Sequence, residues 1–218
     1  MNVAEKEITI AQNVPKVFNA GYEKGKAEVV DYIPYLSTFT FSSAISEITE
    51  DIYLDCSELT STHNWCSGCT FGCNKLTLKF TEKCISLRGL LNNTFGTLEE
   101  VEILGNTSKV TNWYFAFANT VAKRIIGELD FTSATNVGDI FRSTRGITEI
   151  RIKPLTLHIS MSVATLAELS TESIQSIVGG LADLTGQESQ TITFHTDVKT
   201  KLTDGQISTI TNKNWTLA

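Results

Sequence analysis

Apolar residues along the chain recur in short triplets with one residue between them: Ile52-Tyr-Leu54, Leu76-Thr-Leu78, Val101-Glu-Ile103, Leu129-Asp-Phe131 and Ile150-Arg-Ile152. Alternation with period two sends two side chains of each triplet inward and the middle one outward, which predicts a very short strand. The triplets begin 24, 25, 28 and 21 residues apart. A strand that returns only after about 25 residues cannot form a hairpin with its predecessor, so the pattern predicts coils stacked in parallel.

The stretches between triplets repeat too. Thr70-Phe-Gly72 falls over Thr94-Phe-Gly96 at an offset of 24, and Cys84, Leu87 and Leu91 fall over Val110, Trp113 and Phe117 at an offset of 26. Asn93-Thr94 matches Asn119-Thr120, and Phe141 stands over Phe115 in a degenerate fourth copy. Thr, Asn and Gly are frequent here, which predicts irregular or 3-10 structure on the side away from the strands.

Beyond residue 153 the pattern becomes helical. Ser170-Thr171 precede Ile174, Ile177, Val178 and Leu181, an amphipathic helix expected to end near Leu184-Thr-Gly186. Ile192-Thr-Phe194 and Trp215-Thr-Leu217 predict strands, and Thr203-x-x-Gln206 predicts a capping box that opens a helix with Ile207 and Ile210 inward. At the other end, Asn13-Val-Pro15 predicts a helix start with Val14, Val17, Phe18, Tyr22 and Val29 as its apolar stripe. Gly21 and Gly25 each weaken that helix by roughly 1 kcal/mol relative to Ala. The segment reads either as a cap on the first coil or as a docking or oligomerisation element using Val17, Phe18, Gly21 and Gly25. The chain thus divides into an N-terminal helix or attachment segment (1–44), a repeat region (45–153) and a C-terminal cap with two helices and short strands (154–218), a β-rich α/β repeat.

Charge narrows the partners. The net charge is −6, and Lys and Arg occur in nothing longer than pairs such as Lys123-Arg124, so no positive field invites nucleic acid. No apolar run is long enough to span a membrane. The opening residues alternate charged and apolar side chains, unlike an export signal.

Chemistry-bearing motifs are sparse. Phosphate loops, dinucleotide glycine fingerprints, nucleophile elbows and His-Glu-x-x-His do not occur, and His63, His158 and His195 have no sequence neighbour that completes a dyad. The expectation is a non-enzymatic protein without a cofactor. The stretch from His63 to Cys73, HNWCSGCTFGC, carries the one metal-like pattern: His63, Cys66, Cys69 and Cys73 have spacings that allow zinc. In the repeat register, however, Cys66 falls over Leu90 and Ala116, Cys69 over Asn93 and Asn119, and Cys73 over Thr97. That favours packing over zinc or a disulfide, since Cys is among the most buried residue types.

For binding, the strand-middle residues Tyr53, Thr77, Glu102, Asp130 and Arg151 share the outward face, flanked by Asp55, Lys79 and Lys153. Their mixed signs suit a polar protein or a carbohydrate, against a reading as solubilising side chains. Tyr114, in Trp113-Tyr-Phe115, is a second exposed candidate.

Phe71-Gly-Cys-Asn-Lys-Leu-Thr-Leu78, with Phe95-Gly-Thr97 and Phe117-Ala-Asn-Thr120 as looser copies, resembles the BspA-like leucine-rich repeats of bacteria over residues 45–153. The ending, Leu202-Thr-Asp-Gly-Gln206 with Lys213-Asn-Trp-Thr-Leu-Ala218, is similar to that of repeat proteins in bacteria and their prophages, and Ile8 to Val17 to the leader of phage-associated ones. The resemblance implies an elongated right-handed leucine-rich-repeat solenoid that binds proteins or glycans and has no catalytic residues. It implies a phage or prophage virion component, receptor-binding or decorating, that contacts other virion proteins through its N-terminal segment. A bacterial surface adhesin is the alternative, and a metal-dependent enzyme the third.

Overall fold

Alternating side chains assemble most strands of this chain into parallel ladders. The computed structural model describes Lys6–Ile8, Phe18–Ala20, Lys26–Ala27 and residues 49–218. In chain order its elements are β1 (Lys6–Ile8), β2 (Phe18–Ala20), β3 (Lys26–Ala27), β4 (Ile52–Asp55), β5 (Thr70–Phe71), β6 (Lys75–Phe80), β7 (Phe95–Gly96), β8 (Glu100–Gly105), β9 (Arg124–Leu129) and β10 (Glu149–Ile152). There follow β11 (Met161–Val163), α1 (Thr171–Gly180), β12 (Gln190–Phe194), α2 (Thr196–Lys199), α3 (Asp204–Asn212) and β13 (Trp215–Leu217). A six-stranded sheet runs in the order β10-β9-β8-β6-β4-β3 with every neighbour parallel. The β11-β12-β13 and β5-β7 ladders are parallel as well, and β1 pairs with β2 antiparallel. Among the described residues the fold is a mostly parallel-strand α/β arrangement with few helices and no closed barrel. No helix among the described residues is long and apolar enough to cross a membrane.

Register corrects the spacing of the triplets. Ile52 pairs with Leu76, Leu76 with Val101, Val101 with Ile125 and Ile125 with Ile150, so the steps are an even 24, 25, 24 and 25. The strand after β8 is led by Ile125 rather than by Leu129-Asp-Phe131, and Asp130 lies beyond its end. Gly127 explains the mistake. It has φ +92°, and a Cβ there would lie 1.9 Å from the Ile103 carbonyl oxygen. It sits in a bulge, where the pairing jumps from Ile150↔Ile125 to Ile152↔Leu129. The apolar alternation breaks at this residue and restarts at Leu129.

Opposite the sheet, bridges join Ser61, Ser86, Asn112 and Asn136 in a second ladder. Beyond it the chain runs through successive turns rather than helix: the N–H groups of Trp65, Cys69, Leu90 and Ala116 donate to carbonyls three residues back. The same segments bond coil to coil, Cys66 N–H to Leu90 O, Leu91 N–H to Ala116 O and Phe117 N–H to Ile140 O. The offset between the first two coils is 25, since Thr70 pairs with Phe95 and Phe71 with Gly96. Cys66 therefore stands over Leu91, Cys69 over Thr94 and Cys73 over Leu98, one residue away from the sequence alignment. Cys66, Leu91, Phe117 and Phe141 form one buried column, in which the last two rings stack at 5.8 Å. Each such side chain contributes about 1.5–3 kcal/mol through burial.

In the C-terminal part, Ser170 caps α1 by accepting from the Ser173 N–H. The helix stops at Gly180, about a turn short of the expected Leu184-Thr-Gly186, because Gly179-Gly180 is a poor helix former and Leu181 is extended, bridged to Leu157. Two serines of α1 close the sheet. Ser173 Oγ accepts from the Ile150 N–H at 3.1 Å and donates to Thr148 O at 3.2 Å, and Ser176 Oγ accepts from the Ile152 N–H at 2.8 Å. The edge of β10 is thus satisfied by hydroxyls where a further strand would otherwise bind. The Thr203–Gln206 capping box opens α3 as expected, and Ile210 is buried, but Ile207 is 37% exposed.

At the N-terminus the predicted helix is not what the described residues show. Phe18–Ala20 is extended and pairs with Lys6–Ile8, and Lys26–Ala27 adds to the main sheet beside Tyr53 and Leu54. Val17, Gly21 and Gly25 lie outside the described residues.

Candidate functional site

The outward face of the main sheet carries a ladder of ion pairs. Lys79 Nζ lies 3.1 Å from Asp55 Oδ2, and Lys75 Nζ lies 2.9 Å from Glu100 Oε1 and 2.8 Å from Glu102 Oε2. Thr77 Oγ1 donates to Glu102 Oε2 at 3.1 Å. Arg151 pairs with Glu149 at 2.8 Å, and Lys153 with Asp130 Oδ2 at 2.8 Å. The mixed signs noted in the sequence are therefore neutralised by neighbours on the face, between adjacent coils for Asp55, Lys75, Glu102 and Lys153 and within β10 for Arg151. Exposed pairs of this kind contribute about 0–1 kcal/mol each. Asp130 is buried, as Thr77 and Glu100 are, and its carboxylate also accepts from the Thr132 N–H at 3.0 Å and the Thr132 hydroxyl at 2.6 Å. Burial alone would raise its pKa, but these bonds and Lys153 outweigh it and hold the carboxyl below its usual value.

The cysteines do not gather with His63. Among the described residues, no group of three or more His, Cys, Asp or Glu side chains is placed to hold a metal ion. All five cysteines are buried and none is in a disulfide. Burial pushes Cys56 and Cys66 well above the ordinary thiol value, helped at Cys66 by a hydrogen bond with Cys69, and pushes Cys73 and Cys84 up to about 11. His63 instead meets a cation: its Nε2 accepts from Arg88 Nη1 at 2.7 Å. Burial, and then this guanidinium, lower its pKa.

A different cluster forms at the turns. Two backbone columns there are left-handed in every coil. The first comprises Asn64, Gly89, Phe115 and Asp139, with φ of +56°, +63°, +58° and +53°. The second comprises Gly68, Asn93, Asn119 and Ser143. Gly, Asn and Asp suit this conformation; a phenylalanine does not, and its left-handed backbone costs about 1–2 kcal/mol. At Gly89 even a Cβ would lie 2.1 Å from Asn64 Oδ1. Phe115 is thus held at a strained turn, half-buried, with its ring 4.1 Å from that of Tyr114 in an edge-on contact. Arg88 lies 5.6 Å over Tyr114 and Arg142 lies 5.7 Å over Phe115, so the two rings are flanked by two guanidinium groups.

Beside Phe115 a cleft of about 420 Å³ is lined by Ser67, Asn92, Asn93, Asn119 and Arg142 among others. Asn119 Nδ2 donates to Asn93 Oδ1 at 2.6 Å, an amide bridge from one coil to the next. The main-chain N–H groups of Gly68, Asn93 and Asn119 are all spent on the carbonyls of the following coil. Side chains, not backbone, are what this cleft offers to a ligand. The sequence pointed to Tyr114 but missed Phe115, Arg88, Arg142 and the asparagines. Matching Phe115 with Phe141 hid the telling signal, an aromatic in a column otherwise filled by Asn, Gly and Asp.

Compared with known proteins, this chain matches no family model, no curated protein and no solved structure.

Proposed function

We propose that this chain is a non-enzymatic recognition protein, a leucine-rich-repeat solenoid that serves as a receptor-binding or decorating component of a phage or prophage virion. The observation that carries the recognition reading is Phe115. The chain keeps an aromatic at a backbone position where three sister coils use Asn, Gly and Asp, and backbone strain retained at an exposed corner is a mark of function. The even 24–25-residue register of the main sheet supports the solenoid reading. The resemblance of the opening and closing segments to phage-associated repeat proteins supports the virion placement. The ion-paired sheet face, with Tyr53 and Arg151, is a second proposed contact surface.

Mass spectrometry of phage particles purified from the host that carries the gene tests the placement. The protein is expected in the particles at a stoichiometric level; recovery from the cell envelope alone would replace the virion reading with the surface adhesin. Tyr53→Ala and Arg151→Ala are expected to weaken binding to host cells, and unchanged binding would remove the sheet face as a contact.

A further inference from the structure

We propose that the cleft beside Phe115 binds a carboxylate-bearing saccharide, such as a uronic or sialic acid residue of a surface glycan. This rests on the recognition reading and names the ligand class of one of its surfaces. The cleft has the size of a small-ligand site and combines three kinds of group at one place. An aromatic ring, Phe115, offers an apolar surface to the C–H face of a sugar. The amides of Asn92, Asn93 and Asn119 and the hydroxyl of Ser67 offer donors and acceptors to ring hydroxyls. Arg142 supplies a planar fork of donors that matches a carboxylate.

The charge of the ligand follows from Arg142. Among the described residues its one ion-pair partner, Asp139, is 3.9 Å away at the limit of such a pair, and both side chains are solvent-exposed. Its guanidinium is held in place by the Phe115 ring rather than neutralised. With Arg88 on the other ring, it makes a local cationic spot on a chain of net charge −6. A peptide suits the cleft less well than a sugar. The N–H groups of Asn93, Phe115 and Asn119 are committed to the next coil, and those of Ser67, Asn92, Ala118 and Arg142 to carbonyls of their own turn, so the cleft offers no row of open main-chain donors for a peptide backbone to pair with.

The test uses the full chain, labelled with ¹⁵N, titrated with a trigalacturonate, a glucuronate disaccharide and sialyllactose, and with galactotriose and lactose as neutral counterparts. At least one acidic saccharide is expected to shift the side-chain amide signals of Asn92, Asn93 and Asn119 saturably, with its neutral counterpart at least tenfold weaker. Arg142→Gln is expected to lose tenfold or more in affinity, the weight of one charge-assisted contact. Phe115→Asn places at this turn the residue that Asn64 already supplies in another coil, so the variant keeps its native circular dichroism and cooperative melting while losing the shifts. No shift with any of the three acidic saccharides, equal response to the neutral ones, equal response to a tetra-aspartate peptide, or undiminished affinity in either variant would overturn the proposal. Particle or cell association of the unaltered chain is measured separately, so failure of the cleft assignment and failure of the recognition reading give different results.

Discussion

Burial decides what the individual polar side chains of this protein do. The cysteines look like ligands in the sequence, yet each thiol is enclosed, burial raises the pKa of Cys56, Cys66, Cys73 and Cys84, and the thiolate is the reactive and metal-binding form. Ellman's reagent at pH 8 is expected to count fewer than one thiol per chain within minutes on the native protein, and all five after denaturation. Rapid labelling of the native protein would mean that the cysteine column opens. Asp130 shows the same logic with a charge. Its folded pKa is depressed, so its stabilisation is fully present above the unfolded carboxyl value of about 3.9 and is lost as pH falls through the lower folded value. Asp130→Asn is expected to cost about 1–3 kcal/mol at pH 7 in denaturant melts, because it leaves the bonds from Lys153 and Thr132 weakened. The gap between variant and wild type should close below about pH 4.

Elements were legible where one rule governed them and obscure where two competed. The parallel strands β4, β6, β8 and β10, the Ser170 cap and the Thr203–Gln206 capping box follow directly from alternation and cap chemistry. The strand at Arg124–Leu129 was misplaced because a glycine bulge imitates the end of an alternating run. The turns were aligned one residue out, since Thr-Phe-Gly matches itself more closely than it matches its structural partner. The cleft could not be read at all: it is built from four coils, and only the correct register brings Phe115, Asn93 and Arg142 together. The serines of α1 were also invisible, because a hydroxyl that replaces a strand leaves no periodic trace. Ser176→Ala leaves the Ile152 N–H without its acceptor and is expected to cost about 1–3 kcal/mol in thermal or denaturant unfolding. A cost below about 0.3 kcal/mol would show that water substitutes for the hydroxyl.

At the scale of the molecule, β4, β6, β8, β9 and β10 pair in the order in which they occur in the chain, and their buried side chains belong to one continuous hydrophobic core. Excising residues 76–100 removes one register unit and brings Ile52 opposite Val101, a pairing of the kind that both residues already make with Leu76. The shortened chain is expected to keep a strand-type circular dichroism spectrum and a cooperative melt at a lower temperature; loss of cooperative melting would show that the coils are not separable units. Apart from the Ser170 hydroxyl at the helix cap, the hydroxyls of Ser173 and Ser176 bond to Thr148, Ile150 and Ile152. A rearrangement of the strands before residue 148 leaves the groups these two hydroxyls bind in place, so the contact between α1 and β10 is expected to survive changes made earlier in the main sheet.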